Sequence, residues 1–130
     1  MTLPRSLREE IITHALAEQP HECCGLFAGA QEVVQRYIPL VNELASPVAY
    51  SAEPGSLFRA FKSMRAAGQE LIAVVHSHPR TAAVPSMRDL KEWHYPDTVM
   101  LIVSLEAEPV IMAWRIVNGK ILNCSIIDTE

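Results

Sequence analysis

The chain lacks any long apolar run, has little aromatic content and shows no excess of basic charge. No stretch approaches the ~20 consecutive apolar residues that a membrane-spanning helix needs. The opening MTLPRSLREE has no apolar signal core either, so neither a membrane nor a secretory role is expected. The 11 Lys and Arg are outnumbered by 15 Asp and Glu, and they are scattered rather than gathered into a stripe. That distribution argues against nucleic acid as a partner. Cysteine is scarce and odd in number, with Cys23 and Cys24 adjacent and Cys124 far off, so no disulfide framework suggests itself. A cytoplasmic protein is expected.

What is present suffices for a core. At 130 residues and 49% hydrophobic content, the chain reads as one domain over residues 1–130. Such a domain buries roughly two thirds of the surface its unfolded chain would expose, without help from disulfides or a structural metal. Any metal site is then expected to be functional.

Hydrophobic periodicity and turn chemistry divide the chain into elements. Ser6 with Glu9 has the spacing of a capping box, and Leu7, Ile11, Ala15 and Leu16 form a helical stripe closed by Pro20. His14 lies beside that stripe, at its boundary. ECCGLFAG and EVVQRYIPL read as a hairpin, followed by a loop with a short strand at VAYS. Ser56 is the expected cap of a second helix with Leu57, Phe58, Phe61 and Met64 inward and Gly68 as its stop. ELIAVVHSH is a strand ended by Pro79, TVMLIVSL is too continuously apolar for an edge, and PVIMAWRIV and KILNCSIID form a hairpin about Asn118-Gly119. The order of elements implies α/β or α+β architecture, a mixed central β-sheet flanked by helices.

The histidine strand carries the chemistry. Side chains two apart in a strand share a face, so His76 and His78 project together with Cα atoms about 6.5–7 Å apart, within reach of one metal ion. Pro79 places them at the end of a ladder, where a cleft can open. Ser86 and Asp89 read first as an N-cap and a first-turn acid of a short helix. A carboxylate there can also face back toward the strand end. Two histidines and one carboxylate make the open three-ligand pattern of catalytic zinc. Peptide hydrolysis would then need a further carboxylate as proton carrier. Glu22, beside an apolar strand, is the candidate, although nothing in the residues alone brings it to His76.

Taken together, these residues resemble the JAMM, or MPN-plus, metalloproteases. Their signature is a glutamate on an early strand, then His-x-His-Pro, seven residues, and Ser-x-x-Asp. Here HECCGLFAG supplies the first part; HSHP, with seven residues between His78 and Ser86, then SMRD, supplies the second. The resemblance implies the MPN/JAMM fold, which is cytidine deaminase-like. It implies one zinc ion (Zn2+) per chain held by His76, His78 and Asp89. Glu22 is then the acid/base that activates water and protonates the leaving amine, and Ser86 helps hold the oxyanion. The implied activity is cleavage of a peptide or isopeptide bond after the Gly-Gly end of a ubiquitin-like protein. For a minimal chain like the small stand-alone bacterial branch, that partner is a ubiquitin-like sulfur-carrier protein or its C-terminal adduct. A homodimer is compatible with this expectation.

Rival readings remain beside it. Two histidines and a carboxylate also form the facial triad of non-haem iron enzymes, but those usually sit on an all-β jelly roll. The His-x-His of metal-dependent amidohydrolases belongs to a barrel about twice as long. A catalytically inactive MPN-type interaction or scaffold module is the rival of another class, against which the intact motif speaks. His94 is read as a rim or surface residue, and His21 as pointing away from Glu22. Cys24 is read as a small buried residue on Glu22's face, and Trp93 and Trp114 as core or interface.

Overall fold

The computed structural model describes residues 1–130. Its frame is one eight-stranded sheet: β1 (Thr2–Pro4), β2 (Cys24–Ala30), β3 (Val33–Leu40), β4 (Glu70–His78), β5 (Val99–Ser104), β6 (Val110–Val117), β7 (Lys120–Cys124) and β8 (Ile127–Thr129). Three helices accompany it: α1 (Arg5–Glu18), α2 (Pro54–Ala66) and α3 (Met87–Glu92). The strand order is β7-β6-β5-β4-β2-β3-β1-β8. The central β4 runs antiparallel to β2 and parallel to β5, so the sheet is mixed, as expected. β5 is buried along its whole length, which is why its sequence is apolar at every position but the last, Ser104, rather than at alternate ones.

The sheet curls. β7 and β8 stand at opposite ends of the strand order, yet only three residues of chain step from Cys124 to Ile127. Three residues span at most about 10–11 Å, so the two edges must come close together. Ile11 and Ala15 of α1 are fully buried among residues of β1 to β6, which places α1 inside the curl, and Arg8 pairs with Asp128 of β8 at 2.9 Å. Alternation along the strands then sorts the core into two faces. Phe27, Val75, Leu101 and Ala113 pack with Ile11 and Ala15 of α1. Leu26, Val74 and Ala28 pack with Ala60 and Met64 of α2 on the other face, and Met100 and Ile102 continue that face beneath Trp93 and Trp114.

Several local expectations are corrected. Ser6 does not cap α1: the helix leaves β1 directly, Pro4 occupies the cap position, and Glu9 pairs with Arg5 one turn back at 3.1 Å. Ser56 does not cap α2 either. Pro54 begins that helix, so the cap falls on Glu53, whose carboxylate accepts from the Gly55 and Ser56 amides at 2.8 and 2.7 Å. Phe58 is 69% exposed because the buried stripe runs through Ala60 and Met64 instead. VAYS is not a strand; that loop is closed on itself by the bridge of Asn42 with Ala52 and packs on the sheet through Tyr50 and Ala52. The short strand β1 carries no period-2 signal and escapes sequence reading, and KILNCSIID is not one strand but splits into β7 and β8, the latter pairing with β1 at the far edge. The closing hairpin is as expected, with Asn118 and Gly119 both at positive φ, the conformation that favours this dipeptide in a tight turn.

One glycine is dictated by packing. A methyl group on Gly25 would collide with the Tyr37 ring. Tyr37 is itself 4% exposed, edge-on to Phe27 and hydrogen-bonded to His14 Nδ1 at 2.6 Å, so it has nowhere to retreat. Gly25→Ala is therefore expected to destabilise the fold by about 1–3 kcal/mol. Urea unfolding checks this, and an unchanged midpoint would mean that the Tyr37 ring moves freely.

Candidate metal centre

The site forms at the C-terminal end of β4. His76 and His78 are buried and face α3, while Ser77 between them turns to the α1 face. The segment after Pro79 returns over the strand ends because three successive carbonyls are held by side chains of three strands. Ser104 Oγ of β5 donates to Thr81 O at 2.6 Å, His78 Nδ1 of β4 to Ala82 O at 2.8 Å, and Trp114 Nε1 of β6 to Ala83 O at 2.8 Å. The Trp114 contact was missed from sequence, where the residue reads as core. It pins the loop that delivers α3.

Helix α3 opens with the expected capping box. Ser86 Oγ accepts from the Asp89 amide, and the Asp89 carboxylate accepts from the Ser86 amide, both at 3.0 Å. The carboxylate does more than cap. Its Oδ2 lies 3.1 Å from His76 Nε2 and 3.0 Å from His78 Nε2, and the two imidazole nitrogens are 3.2 Å apart.

These three atoms form a near-equilateral triangle that protons alone satisfy poorly. His78 spends its Nδ1 proton on Ala82, so in the neutral ring Nε2 presents a lone pair toward Asp89. Three lone-pair donors then converge, and a cation relieves their repulsion. The edge of a tetrahedron of ligands about 2.0–2.1 Å from zinc is about 3.3 Å, close to the observed spacing. The donor set fits a metal ion, and His76, His78 and Asp89 are the residues that could hold one. Burial lowers the basicity of His76, against the pull of Asp89. Burial also opposes charge on His78 and Asp89. The Asp89 carboxylate and the Ala82 carbonyl nevertheless raise His78, favouring a second proton on its ring when no cation is bound, and the two histidines hold the Asp89 carboxyl below its ordinary range.

Glu22 reaches this site by register. Cys24 pairs with His76 in the antiparallel ladder, so the residue two before Cys24 stands opposite the residue two after His76. Continued past the last rung, that register would set Glu22 opposite His78 on the same face, and His78 is the leading charge felt by the Glu22 carboxyl. The strand proper begins at Cys24, so Glu22 lies just beyond its end rather than within it. The residue is 3% exposed, with Oε1 buried and unpartnered. Burial pushes its carboxyl up to about 8, against a pull downward from His78.

Beside the site lies a mostly apolar groove of about 430 Å³ that runs from Asp89 between the loop of Leu44 and Tyr50 and the turn of Trp93 and Tyr95. Tyr50 stacks on His76, with centroids 4.8 Å apart and planes at 24°. His76 Nδ1 is buried without a hydrogen-bond partner, so its ring is oriented by this stacking and by the Nε2 contact with Asp89. Sequence reading passed over Tyr50; nothing in VAYS distinguishes it from a loop tyrosine. His94 is exposed at the groove's rim, as expected, and Cys24 is a buried thiol on the Glu22 face.

Residues 4–117 match the family described as prokaryotic homologs of the JAB domain. The chain is 47% identical over 97 residues to a Thermus thermophilus protein named probable TtuB-protein conjugate cleaving protease, covering 72% of this chain and 65% of that one. It is 29% identical over 126 residues to the CysO-cysteine peptidase of Mycobacterium tuberculosis, covering 93% and 86%. The solution structure of protein DSY2949 from Desulfitobacterium hafniense superposes with a TM-score of 0.92 at 34% identity, covering 99% and 92%. The crystal structure of AF2198, a JAB1/MPN domain protein from Archaeoglobus fulgidus, shares the fold at a TM-score of 0.65 and 21% identity, covering 98% and 99%. By the family match over most of its length, this chain belongs to the prokaryotic homologs of the JAB domain.

Proposed function

We propose that this chain is a zinc-dependent peptidase that hydrolyses the bond after the C-terminal Gly-Gly of a ubiquitin-like protein, a sulfur carrier or its C-terminal adduct. The observation that carries the reading is the convergence of His76, His78 and Asp89 on one point, with the unpartnered carboxylate of Glu22 on the same face. The names of two relatives support it: one is named for cleaving TtuB-protein conjugates, the other as a peptidase of CysO-cysteine. No helix is long and apolar enough to cross a membrane, and Cys23 and Cys24 are buried free thiols. Both facts support a cytoplasmic setting.

His76, His78 and Asp89 would hold one zinc ion. Bound there, zinc supplies Lewis acidity, acidifying water and polarising the scissile carbonyl. Glu22 serves as the proton carrier. A carboxyl raised by burial takes a proton from water more readily than an exposed one, and then passes it to the departing amine. The Ser86 hydroxyl accepts the Asp89 amide and keeps its own proton free to donate to the developing oxyanion. The groove beside Asp89 would receive an extended tail. Glycine, lacking Cβ, lets that tail's backbone approach the strand end closely.

Removing the metal should silence the site without unfolding the protein, because neither main core cluster includes a proposed ligand. Chelation is expected to abolish hydrolysis, leave far-UV circular dichroism nearly unchanged, and be reversed by added zinc. Active protein with no bound transition metal, or activity surviving His78→Ala, would overturn the assignment.

Glu22→Gln should keep zinc while lowering kcat by about 10²–10⁴-fold, whereas Asp89→Asn should weaken zinc binding. Loss of zinc from Glu22→Gln would make Glu22 a ligand instead. The carboxyl also has a signature in the metal-free protein. With its folded value at about 8 against an ordinary 4.5, the folded state binds the extra proton across that interval, so stability falls as pH rises through it. Metal-free wild type and Glu22→Gln should melt together near about pH 5, and the variant should melt several degrees higher near about pH 8. Parallel melting curves at both pH values would contradict a buried, raised carboxyl.

Substrate is tested by mass. Zinc-loaded protein is incubated with sulfur carriers bearing a C-terminal adduct or extension, and cleavage directly after Gly-Gly is expected, lost when either glycine becomes alanine. Equal cleavage of unrelated peptides would reduce the enzyme to a general metallopeptidase.

A further inference from the structure

Glu22 must keep its carboxylate opposite His78 although its Oε1 is buried without a hydrogen bond to hold it. Its backbone is where the restraint lies. In a hydrogen-bonded antiparallel pair, two residues exchange both N–H···O=C bonds. Cys23 and Ser77 form half of such a pair: the Ser77 amide donates to Cys23 O at 3.1 Å. The return bond does not go to the Ser77 carbonyl. Instead the Cys23 amide donates to Ser77 Oγ at 2.8 Å, in a place where Ser77 is fully buried. A side chain has replaced a carbonyl in the last rung, so the two strands stay joined there while leaving the regular ladder, which ends at Cys24 and His76.

On its other side Glu22 is held by the loop. Its amide donates to Ser46 O at 2.8 Å, and its carbonyl accepts from Asn42 Nδ2 at 3.0 Å. Asn42 also donates to Ala49 O at 3.1 Å and accepts from the amides of Leu44 and Ser51 at 3.1 and 3.0 Å. Both donors and both lone pairs of this amide are thereby used. The loop it organises includes Tyr50, which stacks on His76.

We propose that Ser77 and Asn42 form a backbone clamp that fixes Glu22 between β4 and the Tyr50 loop, acting on the reaction through Glu22 without touching substrate or metal. This rests on Glu22 being the proton carrier of the proposed peptidase. Ser77 lies between the two histidines but faces away from them, so its hydroxyl is a positioning group, as is the Asn42 amide.

The experiment is a double-mutant cycle on the zinc-loaded enzyme with a Gly-Gly adduct substrate. Ser77→Ala should lower kcat by about 10–100-fold, as for a catalytic group displaced by about 1 Å, with KM and zinc affinity nearly unchanged. Ser77→Thr, which keeps the hydroxyl, should restore most of the rate. Asn42→Asp, which keeps the two accepting bonds and loses both donations, should behave like Ser77→Ala. In a Glu22→Gln background each further change should cost less than about threefold, because the group they position is already gone. An undiminished loss in that background, or a tenfold loss of zinc affinity in either single variant, would overturn the clamp. Amide hydrogen exchange decides the same point without turnover. The Cys23 amide should be strongly protected in wild type and exposed by Ser77→Ala, and fast exchange in wild type would refute the clamp. If wild type cleaves no substrate, the peptidase reading fails, while the exchange result still stands or falls by itself.

Discussion

The antiparallel register of β2 against β4 is the constraint on which the site depends. It pairs Cys24 with His76, which sets the face of His76 and His78 and brings the Glu22 segment to the same strand end. A slip of one residue would turn Glu22 to the α1 face and leave the histidines without a carboxylate opposite them. The register is held by more than the ladder. Leu26 and Phe27, on opposite faces of β2, are each within 1% of full burial, so any slip would exchange packed side chains between two different cores.

The second requirement is to bring Asp89 back over the strand ends. A short helix such as α3 has little stability of its own, and none of its residues is fully buried. The three carbonyls of Thr81, Ala82 and Ala83 solve this by bonding to side chains from β5, β4 and β6. The middle bond joins scaffold to chemistry. Holding the His78 Nδ1 proton on Ala82 decides which nitrogen faces Asp89, and therefore whether the site presents lone pairs or protons. His76 has no such partner on Nδ1 and relies on Tyr50 and the Nε2 contact with Asp89, so the two histidines are oriented by different means.

Charge and burial are arranged unequally around the site. Asp89 sits among donors and is held ionised, whereas Glu22 is buried without a partner for Oε1 and is held near neutrality. Two carboxylates separated in this way can take different tasks, one binding a cation and one moving a proton. The mostly apolar groove beside them leaves an open approach along Asp89.

Much of this was written locally. The alternation in ELIAVVHSH put both histidines on one face, the continuous apolarity of VMLIVS made β5 internal, and Ser86 and Asp89 formed the expected capping box. These features depend on residues a few positions apart, where period and turn chemistry act directly. Local signals also misled where a neighbouring element intervened: β1 running straight into α1 displaced the Ser6 cap, and Pro54 moved the α2 cap to Glu53. Other features could come only from tertiary structure. The approach of Glu22 to His78, the pinning of the return loop by Trp114, the stacking of Tyr50 on His76 and the meeting of β1 with β8 each join distant parts of the chain. No periodicity encodes such contacts, because each residue involved has an ordinary local role and the partner is selected by how the whole sheet curls and packs.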